Sequence, residues 1–286
     1  MPNLYFILFE LIIYLQFVLC LRHAWKQGTA NLLRLCAGVL FGVALELATL
    51  RQLNAYDYGQ FLIMVLDVPL CIGLAWSCII YSAMEFSDAS NLPLWTRPVL
   101  DGLLALNIDL ALDAIAIRLG FWDWGQGLEF QYFGVPYANF WAWFWVVSSF
   151  SLGYRLLGFY GYGGRLSMWL SPLLALTLGL VDVLGTNAFI AFVVPFRYHG
   201  LVVIMTFIFA SVLLISLRPH FYLTPVSSLV FWVPFLMHFY LLGAGLVSGV
   251  ILNPPFLLLV ALGMIVVAFY LHQPTIKHIF AKRSSS

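Results

Sequence analysis

Long apolar runs separated by short polar breaks set the architecture of this chain. Apolar residues dominate 4–21, 32–50, 60–83, 98–118, 138–157, 168–194, 200–217, 226–247 and 253–272. A helix needs about 20 apolar residues to cross the hydrocarbon core of a bilayer. Each run therefore predicts one membrane-spanning helix. The fold class expected is all-α: a polytopic transmembrane helix bundle of eight to nine spans, forming a single integral membrane domain over 1–286. The ninth run opens with Asn253-Pro254-Pro255, and proline suits a first helical turn. Gly38-x-x-x-Gly42 and Gly245-x-x-x-Gly249 carry the spacing that lets helices approach closely.

Composition agrees with the pattern. The chain is 63% hydrophobic and only 9% charged, whereas soluble domains carry about 25% charged residues. A net charge of +1 without a basic patch argues against nucleic acid as a partner. Cys20, Cys36, Cys71 and Cys78 all sit in apolar stretches without metal-like spacing. They read as small buried hydrophobes.

Charge placement gives an orientation. The first run has no basic residue before it and Arg22, His23 and Lys26 after it, the reverse of a cleavable signal peptide. It reads as a retained span with its N-terminus outside. Nine spans then put Arg22, Lys26, Arg34, Arg97, Arg155, Arg165, Arg218, Lys277, Lys282 and Arg283 in the cytoplasm, with the C-terminus. Only Arg51, Arg118 and Arg197 fall outside. That bias is the one the positive-inside rule requires, and it places the protein in the cell membrane as a multi-pass chain.

Against this apolar background the acids stand out. Glu10, Glu46, Asp67, Asp109, Asp113 and Asp182 lie inside the runs. An acid near the bilayer centre costs about 2.5–3.5 kcal/mol on insertion scales, so such residues usually mark a site. Asp109 and Asp113 are four apart, on one face of a helix. Two carboxylates one turn apart in low dielectric do not both ionise, which yields the acid and carboxylate that general acid/base catalysis needs. The structural alternative is that Asp113 pairs with Arg118, or that the aspartates accept hydrogen bonds from neighbouring helices. Asp67 and Asp182 read more readily as structural, and Glu10 lacks polar company. Glu46, Asp57, Trp122, Trp124 and Asn139 converge on the outer side with the pair, and Asp67 lies about a third of the way in from that side. The aromatic segment 121–143, with Phe121-Trp122-Asp123-Trp124, Tyr132 and Trp141, fits both an interfacial belt and a pocket rim. Aromatic faces also stabilise cations.

Absences narrow the chemistry. The six histidines lack the clustering that membrane di-iron oxygenases use to hold iron. There is no P-loop, no dinucleotide glycine fingerprint and no Gly-x-Ser-x-Gly elbow. Acid/base chemistry by carboxylates remains.

Several blocks then occur in order. They are Glu46, Tyr56-Asp57-Tyr58, Val68-Pro-Leu with Leu74-Ala-Trp76, Asp109-Leu-Ala-Leu-Asp113, Gly120-Phe-Trp-Asp-Trp124 and Tyr132-Phe-Gly-Val-Pro-Tyr-Ala-Asn139-Phe-Trp141-Ala-Trp143. Together they resemble the membrane carotenoid 1′,2′-hydratases, which include γ-carotene and bisanhydrobacterioruberin hydratases. The resemblance covers a core of about 40–157. The helices over 165–272 and the short tail 273–286 share only hydropathy with it. Ala114 stands where the family usually has proline and Ala142 where it usually has glycine.

The resemblance implies addition of water to the terminal double bond of an acyclic carotenoid, giving a tertiary alcohol without a cofactor or metal. Asp109, Asp113 and Glu46 would be the catalytic acids. Trp122, Trp124, Tyr132, Asn139, Trp141, Tyr56, Asp57 and Trp76 would face substrate, cation or water. The partners expected are the carotenoid, water and the lipid bilayer, with a homo-oligomer or association with other carotenoid enzymes. A carotenoid cyclase or isomerase shares the protonation step. An intramembrane prenyltransferase would need a second aspartate motif, but Asp182 has apolar Leu178 four residues before it. A proton-coupled transporter would use the same acids as a relay, but no internal repeat is evident.

Overall fold

In a computed structural model that describes residues 3–53, 56–125, 127–128, 130–218, 223–224 and 226–277, the apolar runs become nine α-helices. These are α1 (Leu4–Gln27), α2 (Thr29–Leu53), α3 (Leu70–Asp88), α4 (Arg97–Ala116), α5 (Tyr137–Phe159), α6 (Gly164–Ala188), α7 (His199–Leu217), α8 (Ser228–Ser248) and α9 (Phe256–Leu271). Most of the expected tail, with Lys282 and Arg283, lies outside the described residues, as do His220 and His278.

Six helical stretches are long and apolar enough to cross a membrane: those in α1, α2, α3 and α8, α6 continued to Val193, and α7 from Phe196. The chain is thus an α-helical bundle with the make-up of a membrane protein. The other three helices differ for visible reasons. Helix α4 carries Arg97, Asp101, Asp109 and Asp113, α5 is rich in Trp, Tyr and Ser, and α9 has 16 residues.

The run over 60–83 is not helical throughout. Helix α3 begins only at Leu70, and the residues before it form a hairpin of β2 (Met64–Val65) and β3 (Val68–Pro69). Leu66 takes a positive φ of 57° at its turn, beside an exposed Asp67. Asp67 is therefore a turn residue outside the helix, not an acid a third of the way into a span. Unbroken hydrophobicity hid the strands, and Pro69, which has no N–H to donate, marks where the helix starts. A second ladder joins distant loops: β1 (Asp57–Tyr58) pairs antiparallel with β4 (Trp122–Asp123), Tyr58 opposite Trp122.

Helix α4 is the hub, packed against α3, α5, α8 and α9. Nearly every position on it is buried, including Asp101, Asn107, Asp109 and Asp113. Helix α7 is its opposite. Only 11% of its most apolar window is buried, and Leu201, Met205, Ile208, Phe209, Val212 and Ile215 are exposed. A helix so apolar and so exposed suits lipid, not water.

The two glycine motifs resolve differently. On α2, a Cβ at Gly42 would come within 2.8 Å of the Trp76 Cβ and 3.0 Å of the Gly73 carbonyl. This motif therefore serves the α2–α3 contact within the chain. Gly249, at φ 77°, terminates α8 instead of packing a partner helix. Overpacking costs about 1–3 kcal/mol, so Gly42→Val should lower thermal stability in detergent. Gly243→Ala, where a Cβ meets nothing within 4 Å, should not. Equal melting temperatures for the two variants would contradict this packing.

Candidate active site

Three helix ends and two loops meet at one end of the bundle. Glu46 lies near the end of α2, Asp109 and Asp113 on the last two turns of α4, and Asn139 on the first turn of α5. Pro136 fixes an extended backbone just before α5, so this helix starts abruptly with Asn139 level with the α4 carboxylates. After α4, a short 3₁₀ turn and Gly120, at φ 79°, reverse the chain into β4. The β1–β4 ladder then brings Tyr56 and Tyr58 beside Trp122 and Trp124, with the Tyr56 and Trp124 ring centroids 4.6 Å apart.

The two acidic groups are held in different ways. Asn139 Nδ2 donates to Asp109 Oδ2 at 3.1 Å and also to Asp113 Oδ2. One neutral amide thus bridges both carboxyls, which also lie within hydrogen-bonding reach of each other. Asp109 is fully buried, and its Oδ1 has no partner. Glu46 instead receives three donors: Tyr58 Oη at 2.7 Å and Tyr56 Oη on Oε2, and Trp76 Nε1 at 2.6 Å on Oε1. Three donors match a carboxylate, which can only accept. Burial and the neighbouring Glu46 push the Tyr56 and Tyr58 phenols well above the ordinary tyrosine range, so both remain donors at physiological pH.

None of the ion pairs among the described residues includes Asp109, Asp113 or Glu46. Arg118 does not pair with Asp113. It donates to the carbonyls of Ala114, Phe133 and Asn253 at 2.6, 2.9 and 3.1 Å.

These groups open onto a cavity of about 370 Å³. Asp113, Glu46 and Asn139 face it, as do Tyr56, Trp76, Trp122 and Trp124. Trp76 packs on Trp143 with centroids 4.4 Å apart. The rest of the wall is largely aliphatic and aromatic, from Phe9, Leu45 and Ile72 round to Met237. Phe192 and Phe196 line the cavity and are also exposed on the outer surface, at its mouth.

Asp57, Tyr132 and Trp141 stand apart from this wall. Asp57 is exposed on the β1–β4 ladder. Tyr132 donates to the Leu110 carbonyl at 2.9 Å and borders a more open hollow with Arg118 and Phe133. Trp141 turns towards α6, donating to the Thr186 carbonyl at 3.0 Å. Asp109 sits one layer behind Asp113. Asn139 spends its amide nitrogen on the two acids, not on water.

Sequence reasoning missed four things here. Glu10 is fully buried and far from solitary: it accepts from Tyr14 Oη at 2.7 Å and from the Leu62 amide, which ties the hairpin to α1. Tyr58 was visible only as part of a block. Asn187 and His199 also line the cavity. A π-helical turn (Phe189–Val193) follows α6 between them, and such turns are frequent at functional sites. Nothing in the sequence marks either residue.

Among the described residues, no group of three His, Cys, Asp or Glu side chains is placed to hold a metal ion. A family model described as carotenoid biosynthesis protein matches residues 3–210. That span contains every acid and aromatic residue of the site and runs well beyond 40–157 in both directions. No curated protein and no solved structure matches the chain.

The Glu46 cradle makes a stability prediction. Trp76→Phe leaves Glu46 Oε1 buried without its donor, which costs about 1–3 kcal/mol. Trp145→Phe removes an indole N–H that has no partner and should cost much less. Thermal unfolding of the two variants side by side checks this, and the reverse order would refute it.

Proposed function

The chain belongs to the carotenoid biosynthesis protein family, and from that membership we propose that it is an enzyme of the pathway that hydrates the terminal double bond of an acyclic carotenoid. The product is a tertiary alcohol. The observation that carries this reading is an apolar cavity whose one wall holds a buried carboxyl pair bridged by a neutral amide, beside a separately cradled carboxylate and several indoles.

The chemistry follows from how the acids are held. With no cation paired to them among the described residues and only Asn139 between them, Asp109 and Asp113 share a proton, because two charges so close in a dry site are too costly. Asp113 faces the cavity and is the donor. Asp109, behind it, keeps the pair supplied. Proton transfer to the alkene breaks the π bond, forms a C–H bond on the less substituted carbon and leaves a tertiary cation. Trp76, Trp122, Trp124 and Trp143 line the cavity around that charge, where aromatic rings stabilise a cation, and the anionic Glu46 stabilises it from one side. The oxygen of a water then bonds to the cation and its surplus proton passes to Glu46. Proton exchange between Glu46 and Asp113, which face the same cavity, restores the starting state.

A cavity of about 370 Å³ accepts the end of a polyene and not its length. The remainder of the chain would lie in lipid, passing the exposed Phe192 and Phe196. The cell membrane is the corresponding location.

In a lycopene-producing bacterial host, wild type should yield a product heavier by one water. Asp113→Asn and Asp109→Asn should each reduce hydration by about 10²–10⁴-fold with the protein still present in membranes. Full activity in both variants would sink the mechanism, and a product of unchanged mass from wild type would favour cyclisation or isomerisation instead.

A further inference from the structure

The acid wall accounts for the proton, but the reacting water also needs a seat. Asn139, the obvious amide, is already committed to the aspartates. Glu46 already takes three donors, and the accepting capacity it keeps is needed for the proton that the water releases. A second amide lines the same cavity.

Asn187 sits on the last turn of α6 and is only 3% exposed. It lines the cavity, and its Oδ1 is buried without a partner. Among the described residues its carboxamide enters no hydrogen bond. Leaving a buried amide unpaired costs about 1–3 kcal/mol, and native proteins rarely accept that without a ligand or an ordered water. Here the unpaired group borders open space. His199, which also lines the cavity, is similarly enclosed, and its Nε2 donates to the Val194 carbonyl at 3.0 Å. A carbonyl can only accept, so that bond keeps a proton on Nε2. The π-helical turn lies between the two residues and sets their wall apart from regular helix.

We infer that Asn187 seats the oxygen of the reaction: the water before addition and the tertiary hydroxyl after it. A carboxamide both donates and accepts, and so does an O–H group. The surrounding wall is apolar, so an oxygen-bearing ligand finds few other partners there. The inference rests on the hydration reading and deepens it. Protonation belongs to the α4–α5 wall and water capture to the α6–α7 wall.

The two steps separate in heavy water. Membranes carrying the protein are given lycopene in D₂O, and two quantities are read by mass spectrometry. One is hydrated product. The other is deuterium in unhydrated carotenoid, which reports a cation that formed and lost a proton again. Asn187→Leu keeps the branching at Cγ and removes both hydrogen-bonding atoms. It should lower hydrated product by about tenfold or more while deuterium exchange persists or rises, and Asn187→Gln should recover part of the hydration. Unchanged hydration in Asn187→Leu overturns the water seat. So does equal loss of hydration and exchange at normal membrane abundance, since that places Asn187 in the protonation step or in folding. If wild type shows neither hydration nor exchange, the hydration reading itself fails.

Discussion

Three carboxyl groups are buried at one end of this bundle without a cation among the described residues, and the fold is arranged around that cost. Asn139 reaches from α5 to hold Asp109 and Asp113 on α4, while Tyr56, Tyr58 and Trp76 close around Glu46 from a loop and from α3. Each donor comes from a different element than the acid it serves. The hydrogen bonds that make the acids tolerable therefore also fix α2 to α3 and α4 to α5. Gly42 lets α2 approach α3 closely one turn before Glu46, which brings the Trp76 indole within reach.

The opposite end of the same helices handles acids in another way. Asp101, fully buried on α4, pairs with Arg155 at 2.7 Å and accepts from Ser151. Asp88 meets Arg34, Arg97 and Arg155, and Arg34 also pairs with Glu85. Asp182, midway, accepts from Ser149 at 2.6 Å. There the acids are neutralised by arginines and locked into a structural network. At the cavity end they face neutral donors only. One helix thus carries an arginine-paired acid at its start and an amide-bridged pair at its end, and the partners, not the residue type, make the difference.

Much of this was legible in the sequence because the signals were local. Nine apolar runs gave nine helices, and a four-residue spacing put two aspartates on one face of α4. What was hidden came from pairing across distance. The β1–β4 ladder, which carries Tyr56 and Tyr58 to Trp122 and Trp124, joins segments more than sixty residues apart. A continuous apolar stretch reads alike as hairpin or helix, so Asp67 was misplaced. Glu10 seemed isolated because its partners, Tyr14 excepted, come from another element. Asn187 and His199 carry no motif at all, and only the cavity shows that they border the same space as the acids. Trp141 matched the expected pattern of an aromatic rim, yet the turn of α5 points its indole at α6.

The central claim is that water adds across an isolated alkene under carboxyl catalysis. It is tested most directly by supplying membranes of the wild-type protein with an acyclic carotenoid in water labelled with heavy oxygen. The account predicts a tertiary alcohol whose oxygen carries the label, formed under anaerobic conditions and without added cofactor. A product that gains no oxygen, or gains it from molecular oxygen, would contradict it.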